Sequence, residues 1–154
     1  LQGGLRGWGL SAPLRVRERA LISDSGGPGR HRGGLGQEVV IEALGPGPIY
    51  VSTSVERMNN LPRGYRGGAD GASAGLWKNA NEYLPPKARS QLKPGDTVTI
   101  RTPGGGGFGP AAKRTRDDVR ADVAAGYVSA EQAGRYGPSN GAPPSKKRNE
   151  NAPS

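Results

Sequence analysis

The sequence predicts an α+β fold: a β-rich body with Gly-rich loops, two short C-terminal helices and disordered ends. Three observations predict it. Four segments between Leu14 and Arg101 carry the two-residue alternation or the dense β-branched runs of strands. The 27 Gly and 14 Pro among 154 residues, roughly a quarter of the chain, break longer periods and gather between those segments. Only beyond Pro110 do capping residues and one-turn spacing of apolar positions mark helix.

The first dozen residues hold four Gly and no period, so residues 1–13 read as an atypical, disordered start. From Leu14, the residues Val16, Glu18, Ala20 and Ile22 alternate with Arg15, Arg17, Arg19 and Leu21, which predicts a half-buried strand with its bases on one face. Ser25 to Gly36 reads as a long turn, its glycines free to take positive φ and its amides accessible. Glu38–Leu44 and Ile49–Val55 are the next strands. The short Gly45-Pro46-Gly47-Pro48 link predicts that they pair as an antiparallel hairpin. Between Arg57 and Lys93 glycines and prolines interrupt every period, and the stretch reads as a long loop, either pinned by a partner or mobile.

Pro94-Gly95-Asp96 forms a turn into a short strand, Thr97–Arg101. After the glycine run Gly104–Gly107, Thr115 is placed to cap a helix whose first turn holds Asp117 and Asp118, with Val119 and Val123 one turn apart and Gly126 closing it. Ser129 and Gln132 open a second short helix through Ala133 to about Tyr136. Residues 14–137 make the folded unit, and the Pro-, Asn-, Ser- and Lys-rich residues 138–154 form a disordered basic tail.

Charge and composition narrow the chemistry. The formal net charge of +9 favours anionic partners, and two RGG triplets, Arg32-Gly33-Gly34 and Arg66-Gly67-Gly68, resemble arginine-glycine RNA binders. The triplets are only two, far apart, and set between patterned segments, so nucleic acid is the weaker reading. No cysteine is present, which removes disulfides, thiolate metal sites and a cysteine nucleophile, and fits a reducing compartment; cytoplasmic localisation is the expectation. No apolar run reaches the roughly 20 residues of a membrane-spanning helix, so no membrane partner is expected. The single histidine, His31, sits in an Arg-His-Arg triplet and cannot by itself complete a triad or a metal site.

Gly104-Gly105-Gly106-Gly107-Phe108-Gly109 formally contains a GxGxxG pattern, but the predicted helix starts too late for a dinucleotide fold, and no Gly-Lys-Ser or Gly-Lys-Thr follows. Consecutive glycines can still aim several amides at one oxyanion. Arg30, His31, Arg32, Gly33 and Gly34, with Gly104, Gly105, Gly106 and Gly107, are therefore the candidates for a substrate- or anion-facing loop, alongside a purely structural turn. No catalytic residue is assigned, and no metal ligand.

Three ordered stretches, Asp24 to Gly36, Leu92-Lys93-Pro94-Gly95-Asp96, and Thr102 to Gly109, followed by Arg116-Asp117-Asp118-Val119 through Gly126-Tyr127-Val128-Ser129 to Tyr136-Gly137, together resemble the C-terminal portion of the hydantoinase B/oxoprolinase family. The resemblance covers roughly Leu14 to Gly137. It departs over Leu1–Ala12, and at Gly64-Tyr65-Arg66-Gly67-Gly68-Ala69-Asp70-Gly71, where relatives usually carry a Gly-aromatic-Gly-Gly segment.

The resemblance implies ATP-dependent opening of a cyclic amide, a hydantoin or 5-oxoproline, or a related carboxylation, beside a hydantoinase A-type subunit or domain. In that scheme ATP and Mg act on the partner, where phosphorylation of the amide oxygen makes the ring carbon electrophilic, and a divalent metal sits in the family's longer N-terminal region. This chain is then expected to bind no cofactor itself and to be inactive alone. Leu1 at the start, with Met58 the sole methionine, fits a piece of a longer chain. A basic RGG module and a nonfunctional gene remnant are the alternatives.

Overall fold

The computed structural model describes residues 13–136. Its body is two antiparallel sheets. The larger has five strands in the order β1-β2-β7-β4-β5: β1 (Leu14–Leu21), β2 (Gln37–Ala43), β4 (Gly75–Lys78), β5 (Glu82–Tyr83) and β7 (Thr97–Arg101). The smaller is a ribbon of β3 (Ile49–Ser54) and β6 (Lys87–Leu92). Ala43, Leu76 and Val98 from the large sheet, Leu92 from the ribbon, and Met58, Ala74 and Leu84 from the connections form the buried core. Ile49, Val51 and Ala88 of the ribbon pack on it, and their neighbours Tyr50, Ser52 and Arg89 face outward, so β3 keeps the alternation its sequence shows.

Two expectations are corrected here. β2 and β3 do not form a hairpin: β2 pairs with β1 and β7, while β3 leaves the sheet and pairs with β6, Ile49 opposite Leu92. β2 is thereby hydrogen-bonded along both edges, and its Ala43 shares the core with Leu92 of the ribbon. Nor is residues 57–93 one loop. It holds β4, β5 and β6: β5 pairs locally with β4, while β4 and β6 also pair with strands distant in sequence, Leu76 opposite Ile100 and Ala88 opposite Thr53.

β1 differs more subtly. Its register slips between Val16 and Glu18, leaving Arg17 as the extra residue of a bulge. Leu14 and Val16 oppose Ala43 and Ile41 on the core face, but Glu18 and Ala20 oppose Val40 and Glu38 on the other face. The single alternation expected along the whole strand therefore inverts half-way, as a one-residue slip requires.

The bulge has a charge consequence. Arg17 and Arg15 both reach the buried Glu42, at 2.5 Å and 2.6 Å, and these hydrogen bonds hold the Glu42 carboxyl at about 2, below its ordinary 4.5. The folded value lies below the unfolded one, so the stabilisation is complete above about 4.5 and is lost as pH falls toward 2. Glu42→Gln is expected to lower the thermal midpoint near neutrality and to leave it equal to the parent's near pH 2. A difference that stays constant across a series of melts from pH 6 to pH 2 contradicts this.

The C-terminal residues form one 3₁₀ turn, Ala111–Lys113, one helix, α1 (Arg116–Ala124), and a second 3₁₀ turn, Ala133–Arg135. Thr115 caps α1 by accepting from the Asp118 amide at 3.1 Å, with Asp117 and Asp118 in the first turn, and Gly126 beyond the end takes φ +72°. The second expected helix is only the 3₁₀ turn. Of the ends expected to be disordered, residues 1–12 and 137–154 lie outside the described residues, whereas the Pro13 carbonyl accepts from the Leu44 amide at 2.8 Å.

Candidate functional site

Register decides where the glycines meet. Leu21 opposes Gln37, and Glu38 opposes Arg101, which in turn opposes Gly75. The end of β1, the start of β2, the end of β7 and the start of β4 therefore share one end of the sheet. The connections 22–36 and 102–110 leave from that end, 55–74 enters it from β3, and the three converge.

They converge as backbone on backbone. The Gly27 amide donates to Gly105 O at 2.8 Å, Gly105 to Gly34 O at 2.8 Å, Gly107 to Ala69 O at 2.9 Å, Ala69 to Pro28 O at 2.7 Å, and Tyr65 to Gly107 O at 2.8 Å. A Cβ on Gly33 would lie 2.0 Å from Gly105 O, and one on Gly104 would lie 1.8 Å from Ser25 O. The expected role of these glycines is corrected accordingly. None in 25–36 has positive φ, and the amides of Gly27, Gly33, Gly36, Gly104, Gly105 and Gly107 donate within the protein. At Gly27, Gly33, Gly36, Gly104 and Gly107 the place of a side chain is filled by a neighbouring stretch of backbone.

Side chains in this bundle must therefore point outward, and they gather at its tip. His31 and Phe108 exchange backbone hydrogen bonds, and Phe108 also bridges to Tyr65. The ring centroids lie 6.1 Å apart for His31 and Phe108 and 6.0 Å for Tyr65 and Phe108. The Arg66 guanidinium sits 5.7 Å from the Tyr65 centroid and 5.9 Å from that of Phe108. Arg30, His31, Tyr65, Arg66 and Phe108 are all exposed. The arrangement is a cationic and aromatic platform on a backbone with little room to move, suited to a planar or anionic group.

Arg32 is not part of that platform. Its guanidinium donates to Asp122 of α1 at 3.2 Å and 3.3 Å, and to Gly33 O at 2.7 Å, beneath the Tyr127 ring. Arg114 donates to the same carboxylate at 2.7 Å and to Arg30 O at 3.1 Å. Around this shared carboxylate, Asp24 accepts from the Ser129 amide, and Val128 is buried, so α1 and the residues after it are clamped to the outside of the 22–36 connection. Tyr136, over which Arg114 also stacks, has its hydroxyl pushed upward by burial.

Of the residues singled out in sequence, Arg30 and His31 therefore reach the exposed tip, Gly33, Gly104, Gly105 and Gly107 belong to its scaffold, and Arg32 is a tether. Gly34 and Gly106 lie in the same bundle. Tyr65, Phe108, Arg114 and Asp122 are not among those candidates, and Arg66 enters the sequence reading only through its RGG triplet. A bulky residue wedged between glycines in two separate segments, Gly64-Tyr65-Arg66-Gly67 and Gly107-Phe108-Gly109, is the signal that marks the tip. Each RGG triplet has one glycine packed against backbone, Gly33 on Gly105 and Gly68 on Gly107, unlike the loose chain that base stacking by RGG segments exploits. Among the described residues no group of three or more His, Asp or Glu comes together that could hold a metal ion.

Comparison with known proteins accounts for this set of loops. A family model described as Hydantoinase B/oxoprolinase matches residues 8–111, two thirds of the chain. The chain belongs to the hydantoinase B/oxoprolinase family. It is 36% identical over 101 residues to 5-oxoprolinase 1 of Arabidopsis thaliana, covering 63% of this chain and 8% of that one. It is 35% identical over 102 residues to the 5-oxoprolinase of Saccharomyces cerevisiae, covering 63% and 8%. The crystal structure of the ATP-dependent caprolactamase from Pseudomonas jessenii superposes with a TM-score of 0.67 at 25% identity, covering 84% of this chain and 24% of that one. This family member thus spans a quarter or less of the relatives it matches. Nothing in these matches supports the RNA-binding or gene-remnant readings. No helix among the described residues is long and apolar enough to cross a membrane.

Proposed function

We propose that the chain is the C-terminal portion of a hydantoinase B-type subunit that takes part in ATP-dependent opening of a cyclic amide, working with a hydantoinase A-type subunit. The observation that supports this most directly is the family match across residues 8–111, which spans all three glycine-bearing connections. In this reading ATP and Mg are bound by the partner and a divalent metal by the N-terminal region of the B-type subunit, and nucleotide chemistry there activates the amide carbonyl. This chain's own residues bind and orient. The glycine bundle holds Arg30, His31, Tyr65, Arg66 and Phe108 at an edge where substrate or partner approaches, and Asp122 fixes that edge to α1. The chain has no catalytic activity of its own.

Reconstitution tests the proposal. The chain is mixed with an A-type subunit and the N-terminal region of a B-type subunit, and ADP release and ring opening are followed on hydantoin and 5-oxoproline. Turnover is expected only with all three, together with co-elution of this chain with the A-type subunit. Absence of both co-elution and any contribution to ring opening overturns it.

A further inference from the structure

The ribbon covers only part of the large sheet's core face. The half-buried apolar side chains that pack on the core are Ile49, Val51, Val55 and Ala88, on or beside the ribbon, and Ile100 of β7. Across β1 and β2 the same face continues as Leu14, Val16, Arg19 and Leu21 beside Gln37, Val39 and Ile41, with Val16 opposite Ile41 and Arg19 opposite Val39. The bulge at Arg17 is what brings Leu21 onto this face. Leu14, Val16, Val39 and Ile41 are only half-buried, and Leu21 is 51% exposed. Because β2 is hydrogen-bonded along both edges, Val39 and Ile41 are open through the face of the sheet and not through a strand edge. An apolar strip two strands wide is the kind of surface that proteins keep for a contact.

Charge and length say what covers it. Arg19 stands in the middle of the strip and donates to Gln37 Oε1 at 3.2 Å and 3.0 Å. Among the described residues no carboxylate pairs with Arg19, whereas Arg15 and Arg17 on the same strand share Glu42. A complementary segment is therefore apolar and carries an acidic side chain opposite Arg19. A second copy of this chain would instead bring the same unpaired arginine and a further net charge of +9. The chain spans only 24% of the caprolactamase chain on which it superposes. Under the reading above that it is the C-terminal portion of a B-type subunit, on which this assignment rests, the rest of that subunit precedes it and joins it beside β1, the outer row of the strip.

We infer that the β1–β2 half of this face seats the preceding region of the same subunit, which lays an apolar segment across Val16, Val39 and Ile41 and sets an acidic side chain against Arg19. The ribbon and that segment together complete the second layer over the sheet.

Methyl NMR of the chain labelled at Leu, Val and Ile, titrated with the N-terminal region of a B-type subunit, tests the assignment one face at a time. Saturable shifts are expected at Val16, Leu21, Val39 and Ile41, and none at Val40, which lies between two of them in sequence but on the opposite face of β2. Arg19→Glu and Leu21→Glu should each weaken binding by about tenfold or more, with the other methyl signals of the free chain unchanged. Arg89→Glu on the outward face of the ribbon should leave binding as it is. Shifts at Val40 without shifts at Val39 and Ile41, indifference to both face variants, or no saturable binding overturns the inference. So do the same methyl shifts produced by raising the concentration of the chain alone, which would make a second copy the occupant. Ring opening by the reconstituted subunits that neither face variant affects removes this surface and leaves the functional proposal standing. Binding confined to this face, without ring opening in the reconstituted mixture, does the reverse.

Discussion

Gly33→Ala is expected to destabilise the protein by about 3 kcal/mol or more, lowering its thermal midpoint by roughly 10 °C. The added methyl would sit 2.0 Å from Gly105 O and 2.5 Å from Gly105 C. Both are backbone, so no side-chain rotation relieves the overlap. Moving Gly105 away breaks two hydrogen bonds at once, Gly27 N to Gly105 O and Gly105 N to Gly34 O, both 2.8 Å. Because the three connections are joined through such bonds, the displacement is passed on to the tip that carries His31 and Phe108.

The next residue supplies the control. A Cβ on Gly34 meets nothing within 4 Å, and its φ is not in the left-handed range. Gly34→Ala should therefore be neutral, or stabilising by about 0.4–1 kcal/mol through the lowered entropy of the unfolded chain. Adjacent glycines with opposite responses in the same thermal melt would establish close backbone approach as the reason for Gly33. Equal responses would show that the bundle is loose enough to absorb a methyl.

This contrast also marks the limit of what the sequence reveals. β1, β2, β3, β7 and α1 were legible because their signals are local: alternation, a β-branched run, or a capping threonine one turn before Asp118. The pairing of β2 was not, since a short link favours a hairpin only when no distant strand competes, and here β1 and β7 take both edges of β2 while β3 pairs with β6. β4 and β5 are 4 and 2 residues long and too short to show a period; Trp77 against Tyr83, with rings 5.8 Å apart, pairs them. Gly-rich stretches read as conformational freedom because sequence shows the missing side chain but not the carbonyl that takes its place. Arg32 read as anion-facing because its anion, Asp122, is 90 residues away.

Asp122→Ala is expected to cost about 3–5 kcal/mol, the penalty for stranding buried charge. The carboxylate is buried, and the side chains of its partners Arg32 and Arg114 are only 14% and 12% exposed. Removing it leaves two guanidiniums facing each other in a poorly solvated site, where the buried Arg114 Nε already has no acceptor. Asp117→Ala on the same helix should change stability by less than about 0.5 kcal/mol, because its ion pair with Arg120 is exposed and three residues apart along one helix. Asp122→Asn keeps an acceptor for one arginine and should fall between the two. The location of the damage is the sharper readout. Arg32 also lies beneath Tyr127, and Arg114 donates to Arg30 O and stacks on Tyr136, so loss of the carboxylate should release α1 from the 22–36 connection while the sheets persist. Near-ultraviolet circular dichroism of the tyrosines and amide exchange of α1 should report that release before the far-ultraviolet strand signal changes. A single transition in which both signals fall together would instead make the helix part of the same cooperative unit as the sheets, with Asp122 holding the whole domain rather than the edge on which Arg30 and His31 stand.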